Sequence, residues 1–364
     1  MSTQALPPIF LIRAVTTLTD WLARARRAVL PTPVTLFEMT TMAYFVSNAI
    51  TSASKLAIPE ALKEGPLTCA EIARAIGANE SSVHRLMRAL ASVGFFDLKG
   101  DRYRLNALSR RMLPDEPGSV LPMMRLASED WVRSLWGHLA EAVRSGKSPT
   151  SAVLGMPLFE YLAQTPAASD VFNRAMVTMT AQTTAAVLAA YDLSSTRNLV
   201  DVGGGLGQFV MAAVSRYSQL RATLFEMAHL EEAAAKRIAD AGYRDRIDIV
   251  AGDFFKDPLP FAADLYVLMN ILHDWSDAEA VRILGRVRDA LRPDARLLVI
   301  EMVLPEDGKL SIASVLDLQM LLLFDGGRER TVAEFHALFA EAGLRMVRML
   351  GTASASSVMV LARA

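Results

Sequence analysis

The chain has 364 residues, of which 52% are apolar and 21% are charged, and its formal net charge is −1. This length suits two domains with sizeable cores, and a nearly neutral chain is not expected to be a general nucleic-acid binder. The single cysteine, Cys69, excludes disulfide frameworks and cysteine-based metal sites and fits a reducing cytoplasm. A membrane span needs ~20 consecutive apolar residues, and we find no such stretch in the sequence.

Residues 1–34 are predicted to form an N-terminal helical extension. Their short apolar stretch precedes a basic cluster, which is the reverse of the order in a secretory signal. Residues 10–29 have the pattern of an amphipathic helix that is closed by Pro31. We expect this helix to pack on a partner subunit, and binding to a membrane surface is the alternative.

Residues 35–115 are predicted to form a winged-helix domain. Thr68 and Glu71 have the spacing of a capping box, which starts a helix at this point. A second helix is predicted over residues 81–93, and residues 95–105 have the pattern of a hairpin. Helix, turn, helix and hairpin in this order define the winged-helix arrangement.

Residues 116–190 are predicted to be mostly helical and to combine a linker with part of a substrate pocket. They are rich in methionine and aromatic residues, which at helical spacing more often form core than line a pocket. The residues that we single out as pocket candidates are Trp131, Phe159, Phe172, Met176 and Met179.

Residues 191–364 alternate predicted strands and helices. This order indicates a mostly parallel α/β sheet with helices on both faces. The predicted strands cover residues 198–202, 222–226, 247–251, 264–270, 297–303, 347–350 and 357–362. Only a short turn separates the last two strands, so we expect the final strand to be antiparallel.

A cluster of glycines follows the first of these strands, in the segment 198–207. Glycines allow a sharp turn and the close approach of a ligand, and the next helix begins with unpaired N–H groups. The spacing does not fit the G-x-G-x-x-G pattern of dinucleotide binding, and no lysine follows as in a P-loop. The candidate ligand contacts in the turn are Asp201, Gly203, Gly204 and Gly205.

Acidic residues end three successive predicted strands. Asp201 precedes the glycines, Glu226 ends the second strand, and Asp253 follows the third. Because the carboxyl ends of such strands line the ligand crevice, these acids favour a ribose-bearing, positively charged ligand without phosphate. S-adenosylmethionine (SAM) meets this description. The alternative is that each acid caps the helix that follows it.

Five segments, in order along residues 35–364, resemble the motifs of the plant-type O-methyltransferase family, which includes bacterial enzymes that methylate phenolic and polyketide metabolites. These segments are Leu199-Val-Asp-Val-Gly-Gly-Gly-Leu-Gly, Gly252-Asp-Phe-Phe, Ile271-Leu-His-Asp-Trp-Ser-Asp277, Val299-Ile-Glu-Met-Val-Leu-Pro305 and Gly326-Gly-Arg-Glu-Arg-Thr331. The resemblance implies a class I Rossmann-like SAM-binding domain over residues 191–364. It also implies that the preceding winged-helix domain forms an intertwined homodimer.

The resemblance further implies roles for individual residues. His273 resembles the general base, and Glu301 and Glu329 resemble the two acids that flank it. The implied SAM contacts are Asp201, Gly203, Gly204, Gly205, Glu226, Asp253, Phe254 and Asn270. The implied acceptor contacts are Trp131, Phe159, Phe172, Met176, Met179, Asp274, Met320 and Phe324. The family often has a lysine where this chain has Met269, so the hydrogen bond of that lysine to SAM is absent or comes from Asn270.

The chemistry of methyl transfer explains why a histidine is useful at this position. The methyl group of a sulfonium is already activated, so the protein mainly positions the reactants. A phenol has a pKa of ~10, and a base that removes its proton makes it a better nucleophile. A neighbouring glutamate can hold the imidazole in one tautomer and stabilise the imidazolium. The sequence therefore predicts SAM-dependent O-methylation of a small aromatic or polyketide-like metabolite.

Two other functions remain open from the sequence. One is a relative that retains SAM but catalyses decarboxylation, hydroxylation or a pericyclic reaction. The other is a DNA-binding regulator, because residues 68–112 carry eight Lys/Arg against four Asp/Glu. The predicted helix over residues 81–93 is dominated by apolar side chains, which favours packing in a dimer over reading a DNA groove.

Overall fold

The computed structural model describes residues 28–261, 263–307 and 311–364, together with Val15, Leu18, Leu22, Ala25 and Arg26. The amphipathic helix predicted over residues 10–29 therefore lies largely outside the described residues. Contacts divide the chain into two compact units. The N-terminal unit contains Ala14–Arg133 and Asp170–Thr178, and the C-terminal unit contains Ser134–Ser169 and Met179–Ala364.

The N-terminal unit combines short helices with a three-stranded sheet. Its helices are α1 (Thr32–Phe37), α2 (Ala43–Lys55), α3 (Ile58–Ala61), α4 (Cys69–Ile76), α5 (Glu80–Ser92) and α6 (Leu121–Ser128), with a π-helical turn at Glu38–Met42 and a 3-10 turn at Ser109–Met112. Its strands are β1 (Leu67–Thr68), β2 (Asp97–Lys99) and β3 (Arg102–Arg104), which pair antiparallel in the order β1-β3-β2. The predicted winged-helix order is confirmed.

Two central helices of this unit, α4 and α5, show how local sequence fixes a helix start and a buried face. The Thr68 hydroxyl accepts a hydrogen bond from the Glu71 N–H, and the Glu71 carboxylate accepts one from the Thr68 N–H, so the predicted capping box opens α4. The apolar face of α5, with Val83, Met87 and Leu90, is buried in the core of the same unit. The apolar content of α5 thus serves its own domain.

The segment predicted to be mostly helical contains five further helices. These are α7 (Asp130–Gly137), α8 (Leu139–Ser145), α9 (Thr150–Leu154), α10 (Leu158–Gln164) and α11 (Pro166–Ala190). The helical prediction for this part of the chain is confirmed.

The C-terminal unit is built on an eight-stranded sheet. Its strands are β4 (Asn198–Val202), β5 (Arg221–Glu226), β6 (Ile247–Ala251), β7 (Leu265–Met269), β8 (Arg296–Leu304), β9 (Arg330–Thr331), β10 (Leu344–Gly351) and β11 (Ser356–Arg363). Its further helices are α12 (Gln208–Arg216), α13 (Glu231–Asp240), α14 (Asp277–Ala290), α15 (Ile312–Leu323) and α16 (Val332–Glu341), with 3-10 turns at Ala228–Leu230 and Leu272–Asp274. The strand order is β10-β11-β8-β7-β4-β5-β6, and β9 pairs with β8.

Parallel and antiparallel pairing in this sheet agrees with the prediction. Strands β6, β5, β4, β7 and β8 pair in parallel, whereas β11 is antiparallel to both β8 and β10. Strand β10 begins at Leu344, three residues before the predicted start. Its early residues pair with β11 across a register shift between Met346 and Arg348, which interrupts the alternation that the sequence shows.

Two hydrophobic cores cover the two faces of the sheet. Successive residues of a strand point to opposite faces of the sheet. On β4, Leu199 lies in one core and Val200 lies in the other. Helices α14 and α16 supply one core, and α12 and α13 supply the other. This burial fixes the parallel strands, so the loops after their carboxyl ends are held along one edge.

None of the described helices is both long enough and apolar enough to cross a membrane.

Candidate active site

The glycine turn after β4 requires its glycines. Gly203 and Gly205 have φ values of 73° and 59°, in the left-handed region that side chains disfavour. A Cβ atom added to Gly203 would lie 2.6 Å from the Ile271 Cδ1 atom. At Gly204, an added Cβ would collide with the Asp201 carboxylate. Gly203 and Gly204 are therefore closely packed against Ile271 and Asp201, whereas a Cβ at Gly205 would meet no described atom within 4 Å.

Two buried acids lie beside this turn. The Glu226 carboxylate accepts hydrogen bonds from the Gly205 N–H at 2.8 Å and the Met227 N–H at 2.7 Å. Burial raises the pKa of Glu226, although these two hydrogen bonds oppose the rise. Burial, with a smaller contribution from Glu226, raises the pKa of Asp201 to about 7. The Asp201 Oδ2 atom is buried and has no hydrogen-bond partner among the described residues.

These features fit a cationic ligand with hydroxyl groups. A buried carboxylate oxygen without a donor is costly, and a positively charged group or a new donor nearby removes that cost. Asp201 and Glu226 lie at the carboxyl ends of β4 and β5, where the sequence analysis expects the sulfonium-bearing cofactor. The site is acidic. This suits a positively charged ligand such as SAM and disfavours a negatively charged pyrophosphate.

Asp253 already has partners within the protein. Its carboxylate accepts a hydrogen bond from the Phe255 N–H at 2.8 Å and lies 2.9 Å from the Lys256 ammonium. Burial would raise the pKa of Asp253, but the Lys256 ammonium and the Phe255 N–H outweigh it and lower the pKa. Asp253 therefore also caps the turn after β6, and its contact with the cofactor stays a prediction.

Two further residues predicted to bind the cofactor lie at the same edge of the sheet. Phe254 approaches the Gly203 backbone and packs edge-on against Phe255 and Trp275. Asn270 directly follows β7 with a φ of 56°, a left-handed conformation that asparagine tolerates better than most residues. Such strained backbone is common at functional sites.

His273 lies in the 3-10 turn Leu272–Asp274, which begins three residues after the end of β7, and three carboxylates surround its ring. The Nδ1 atom is 3.1 Å from the Glu329 Oε1 atom and 3.4 Å from the Glu301 Oε2 atom. The Nε2 atom is 3.4 Å from the Asp274 Oδ1 atom. The two ring nitrogens therefore have different environments, one between glutamates and one beside an aspartate.

Neighbouring strands position the two glutamates. Glu301 lies on β8, is completely buried, and accepts hydrogen bonds from the N–H groups of Ile271 and Leu272 at 3.0 and 2.8 Å. Glu329 directly precedes β9, which pairs in parallel with the end of β8. The Glu329 N–H donates to the Asp317 carboxylate of α15 at 2.8 Å. The predicted flanking acids are thus brought to the histidine, and Glu329 is buried.

The carboxylates control the protonation of this cluster. Burial lowers the pKa of His273, but Glu301, Asp274 and Glu329 together outweigh burial and raise it to about 10. Burial raises the pKa of Asp274 to about 7, against the opposing effect of His273. Burial also raises the pKa of Glu301. The result is a strongly basic imidazole whose positive charge the surrounding acids stabilise.

The same three side chains could also bridge a metal ion. Among the described residues, His273, Glu301 and Glu329 offer one ligand atom each, all within 4.8 Å of one another. A hydrogen bond from the imidazole ring to the glutamates accounts equally well for the distances of Nδ1 to both carboxylates, without a metal ion.

An arginine that the sequence analysis did not single out is part of this site. Arg330 is 1% exposed, and its guanidinium donates to the carbonyl oxygens of Leu272 and Trp275, both at 2.8 Å. It also donates to the Asp277 carboxylate at 2.9 Å. In the sequence this residue lies in a charged segment that is typical of a solvated loop. The capping box at Thr331 predicts the helix that follows Arg330, but no local pattern indicates that the arginine itself is buried.

Aromatic rings form a second cluster in the C-terminal unit. The Phe159 ring lies 5.3 Å from the Phe324 ring and 6.3 Å from the Trp275 ring, between centroids. Met320 is buried on α15, four residues before Phe324. Of the predicted acceptor contacts, Phe159 and Phe324 are thus brought together, and Trp275 joins them although it was not predicted.

Four other predicted acceptor contacts lie on helices α7 and α11. Trp131, Phe172 and Met176 belong to the N-terminal unit, where they pack around the small core of Leu126, Val132 and Ala175. Met179 is half-buried on α11 and belongs to the C-terminal unit. Contact of these four residues with an acceptor stays a prediction.

Comparison with known proteins agrees with this geometry. Residues 136–345 match the model of the O-methyltransferase domain, and residues 39–115 match that of the O-methyltransferase dimerisation domain. The chain is 39% identical to the mitomycin biosynthesis 6-O-methyltransferase of Streptomyces lavendulae, over 84% of this chain and 87% of that protein. It is 34% identical to the phenazine O-methyltransferase PhzM of Lysobacter antibioticus, over 92% and 97% of the two chains.

A solved structure shows the same similarity in three dimensions. The human N-acetylserotonin methyltransferase in complex with SAM superimposes with a TM-score of 0.84 at 29% identity. The match covers 92% of this chain and 99% of that chain.

Proposed function

Since the chain belongs to the O-methyltransferase family and is a SAM-dependent O-methyltransferase, we propose that it methylates a phenolic hydroxyl of a small aromatic natural product, with His273 as the general base. The observation that carries this proposal is the position of the His273 Nδ1 atom, 3.1 Å from Glu329 and 3.4 Å from Glu301. The comparisons support methylation over the decarboxylase, hydroxylase, pericyclase and regulator alternatives.

The residues at the glycine turn hold the cofactor in this proposal. Asp201 and Glu226 supply acceptors for its charged and hydroxyl groups, Gly203, Gly204 and Gly205 allow close approach of the backbone, and the resemblance adds Asp253, Phe254 and Asn270. Bound SAM supplies a methyl group that the sulfonium already activates. The protein then needs only to align an oxygen nucleophile and remove its proton.

His273 performs the proton removal. Glu329 and Glu301 fix the Nδ1 side of the ring, which leaves the Nε2 atom to accept the proton of the acceptor hydroxyl. Glu301, Asp274 and Glu329 raise the pKa of His273 to about 10, toward the ~10 of an ordinary phenol, which makes removal of the phenol proton less unfavourable. The same carboxylates stabilise the imidazolium that forms, and the phenolate oxygen that remains is the nucleophile for the methyl group that bound SAM would supply.

The acceptor is an aromatic molecule in this proposal. Phe159, Phe324 and Trp275 form an apolar wall of the kind that binds flat rings. Asp274 lies 3.4 Å from the Nε2 atom and can accept a hydrogen bond from a second polar group on the ring. The mitomycin and phenazine enzymes to which the chain is similar are consistent with a fused aromatic acceptor.

The test compares parent and His273→Ala enzymes on two acceptors, an ordinary phenol and an electron-poor phenol that is already ionised at neutral pH. We expect His273→Ala to lower the rate of methylation of the ordinary phenol by about 10²–10⁴-fold and to lower the rate for the ionised phenol much less. SAM affinity, measured by calorimetry, should be nearly unchanged. Equal loss on both phenols, together with lost SAM affinity, would show that His273 is structural.

The assembly and location also belong to this proposal. The match to a dimerisation domain supports a homodimer formed by the winged-helix domain, for which we propose the limits 35–115. Exposed apolar side chains on α1, α2 and the π-helical turn, such as Phe37, Met39 and Phe45, are consistent with this role. A small-molecule substrate, a cytoplasmic location and the lack of membrane or nucleic-acid partners complete the proposal. Sedimentation velocity of the whole protein would contradict the dimer if it gave only the monomer mass.

A further inference from the structure

Arg330 is among the largest fully buried side chains of the protein, and its surroundings are unusual for an arginine. Removing a guanidinium from water costs roughly several kcal/mol of free energy, unless each of its N–H donors finds a hydrogen-bond partner. Replacing a buried ion pair with apolar residues is often neutral or stabilising. Burial of this charge therefore calls for an explanation other than stability.

The partners that Arg330 contacts at 2.8–2.9 Å belong to the segment that carries the proposed base, and a longer contact of 3.5 Å joins its Nη1 atom to the Arg328 carbonyl oxygen. Its Nη1 and Nη2 atoms donate to the carbonyl oxygens of Leu272 and Trp275, one residue before and two residues after His273. Its Nε atom donates to Asp277, the first residue of α14. One planar group thus joins both sides of the 3-10 turn to the start of the next helix.

The residues next to Arg330 bind the histidine itself. The Arg328 N–H donates to the His273 carbonyl oxygen at 2.8 Å, and the Glu329 carboxylate contacts the His273 ring. Strand β9, which begins at Arg330, is paired with the end of β8, the strand that bears Glu301. A shift of the guanidinium would therefore move the ring of His273 relative to both glutamates.

We propose that Arg330 is a positioning residue for methyl transfer, because it clamps the turn that carries His273 and so sets the orientation of the imidazole between Glu329 and Glu301. The inference rests on the proposed role of His273 as base. A lysine cannot replace the arginine, since a single ammonium on a flexible stem does not match the fixed fork of a guanidinium. A misplacement of ~1 Å in such a site costs about 10²-fold in rate.

The experiment compares Arg330→Lys with Arg292→Lys in the full-length protein. Arg292 is the control for loss of an arginine–aspartate pair, because its guanidinium lies 2.7 Å from Asp264 at the amino end of β7, with a side chain that is 36% exposed. We expect Arg330→Lys to lower kcat on an ordinary phenol by about 10²-fold, with KM and SAM affinity little changed. Arg292→Lys should leave kcat close to that of the parent.

A spectroscopic readout separates positioning from a general loss of structure. The chain has five histidines, so the ring resonances of His273 can be assigned by their absence in His273→Ala. We expect the Nδ1 proton of His273 to shift or to broaden in Arg330→Lys and to stay unchanged in Arg292→Lys. An unchanged resonance together with an unchanged kcat in Arg330→Lys would overturn the inference.

Three further outcomes distinguish a failure of the positioning role from a failure of the proposed base. If Arg330→Lys does not fold, Asp277→Ala takes its place, because it removes the acceptor of the Arg330 Nε atom. A parental kcat together with an unchanged His273 resonance in that variant overturns the inference. If His273→Ala retains the parental kcat, the proposed base is wrong. If His273→Ala is inactive while Arg330→Lys is fully active, only the positioning role fails.

Discussion

Replacing Glu329 with glutamine changes the charge beside His273 and leaves the shape of the side chain almost intact. The Oε1 atom that contacts Nδ1 at 3.1 Å is retained, and so is the N–H that donates to Asp317. The variant therefore isolates the electrostatic contribution of this carboxylate to the basicity of the imidazole.

The size of the effect follows from the distance. Two unit charges 3.1 Å apart interact by about 5 kcal/mol at an effective dielectric constant of ~20, which is an upper limit for the pair. Opposite charges at this range move a pKa by about 1–3 in measured cases. Loss of the Glu329 charge therefore lowers the pKa of His273 in Glu329→Gln, while Glu301 and Asp274 continue to raise it.

The sign of the pH dependence is set by the form of His273 that accepts a proton. Only the neutral imidazole is a base, and its fraction grows as pH rises toward the pKa of about 10. For an ordinary phenol, we expect kcat/KM of the parent to rise with pH through the neutral and alkaline range. In Glu329→Gln the rise should occur at lower pH, toward a plateau about 10²-fold lower because the ring has lost its charged anchor.

The assay is the initial rate of methylated product at subsaturating phenol and saturating SAM, measured across the neutral and alkaline range. Glu334→Gln is the control, since Glu334 is a nearby carboxylate that caps α16 and pairs with Arg328 instead of His273. A profile of Glu329→Gln that coincides with the parental profile would refute the assignment of Glu329 to the basicity of His273.

Two predictions concern the cofactor. Gly203→Ala should weaken SAM binding by at least about tenfold, because an alanine in the left-handed region costs roughly 1–2 kcal/mol and its Cβ would crowd Ile271. Gly242→Ala is the control, since Gly242 has a φ of 78° but no described atom within 4 Å of an added Cβ. Equal loss of SAM affinity in both variants, measured by calorimetry, would contradict this prediction. The affinity for SAM should rise with pH up to about 7 and then level, because Asp201 is ionised above its raised pKa. Asp201→Asn should flatten that dependence, and an unchanged pH profile in this variant would exclude Asp201 as its source.

Much of the fold could be predicted because its signals are local. The apolar run of β4, the glycines that follow it and the capping box of α4 in the N-terminal unit each depend on residues close in sequence. The acids at strand ends could be placed together because parallel strands share one edge. The start of β10 could not be predicted, since its first residues pair across a register shift that no local pattern records.

The sequence by itself determined the order of strands and helices, the glycine turn, and His273 after β7 as the candidate base, because periodicity, turn chemistry and motif order are properties of neighbouring residues. Only the tertiary structure decided which charges meet at that histidine. Glu301 and Glu329 are far from His273 in the chain. The pairing of β8 with β7 brings Glu301 beside the His273 Nδ1 atom, and the pairing of β9 with β8 brings Glu329 there. Burial of Arg330 depends on the same pairing, because long-range contacts, and not local composition, decide whether a charged segment is solvated or enclosed.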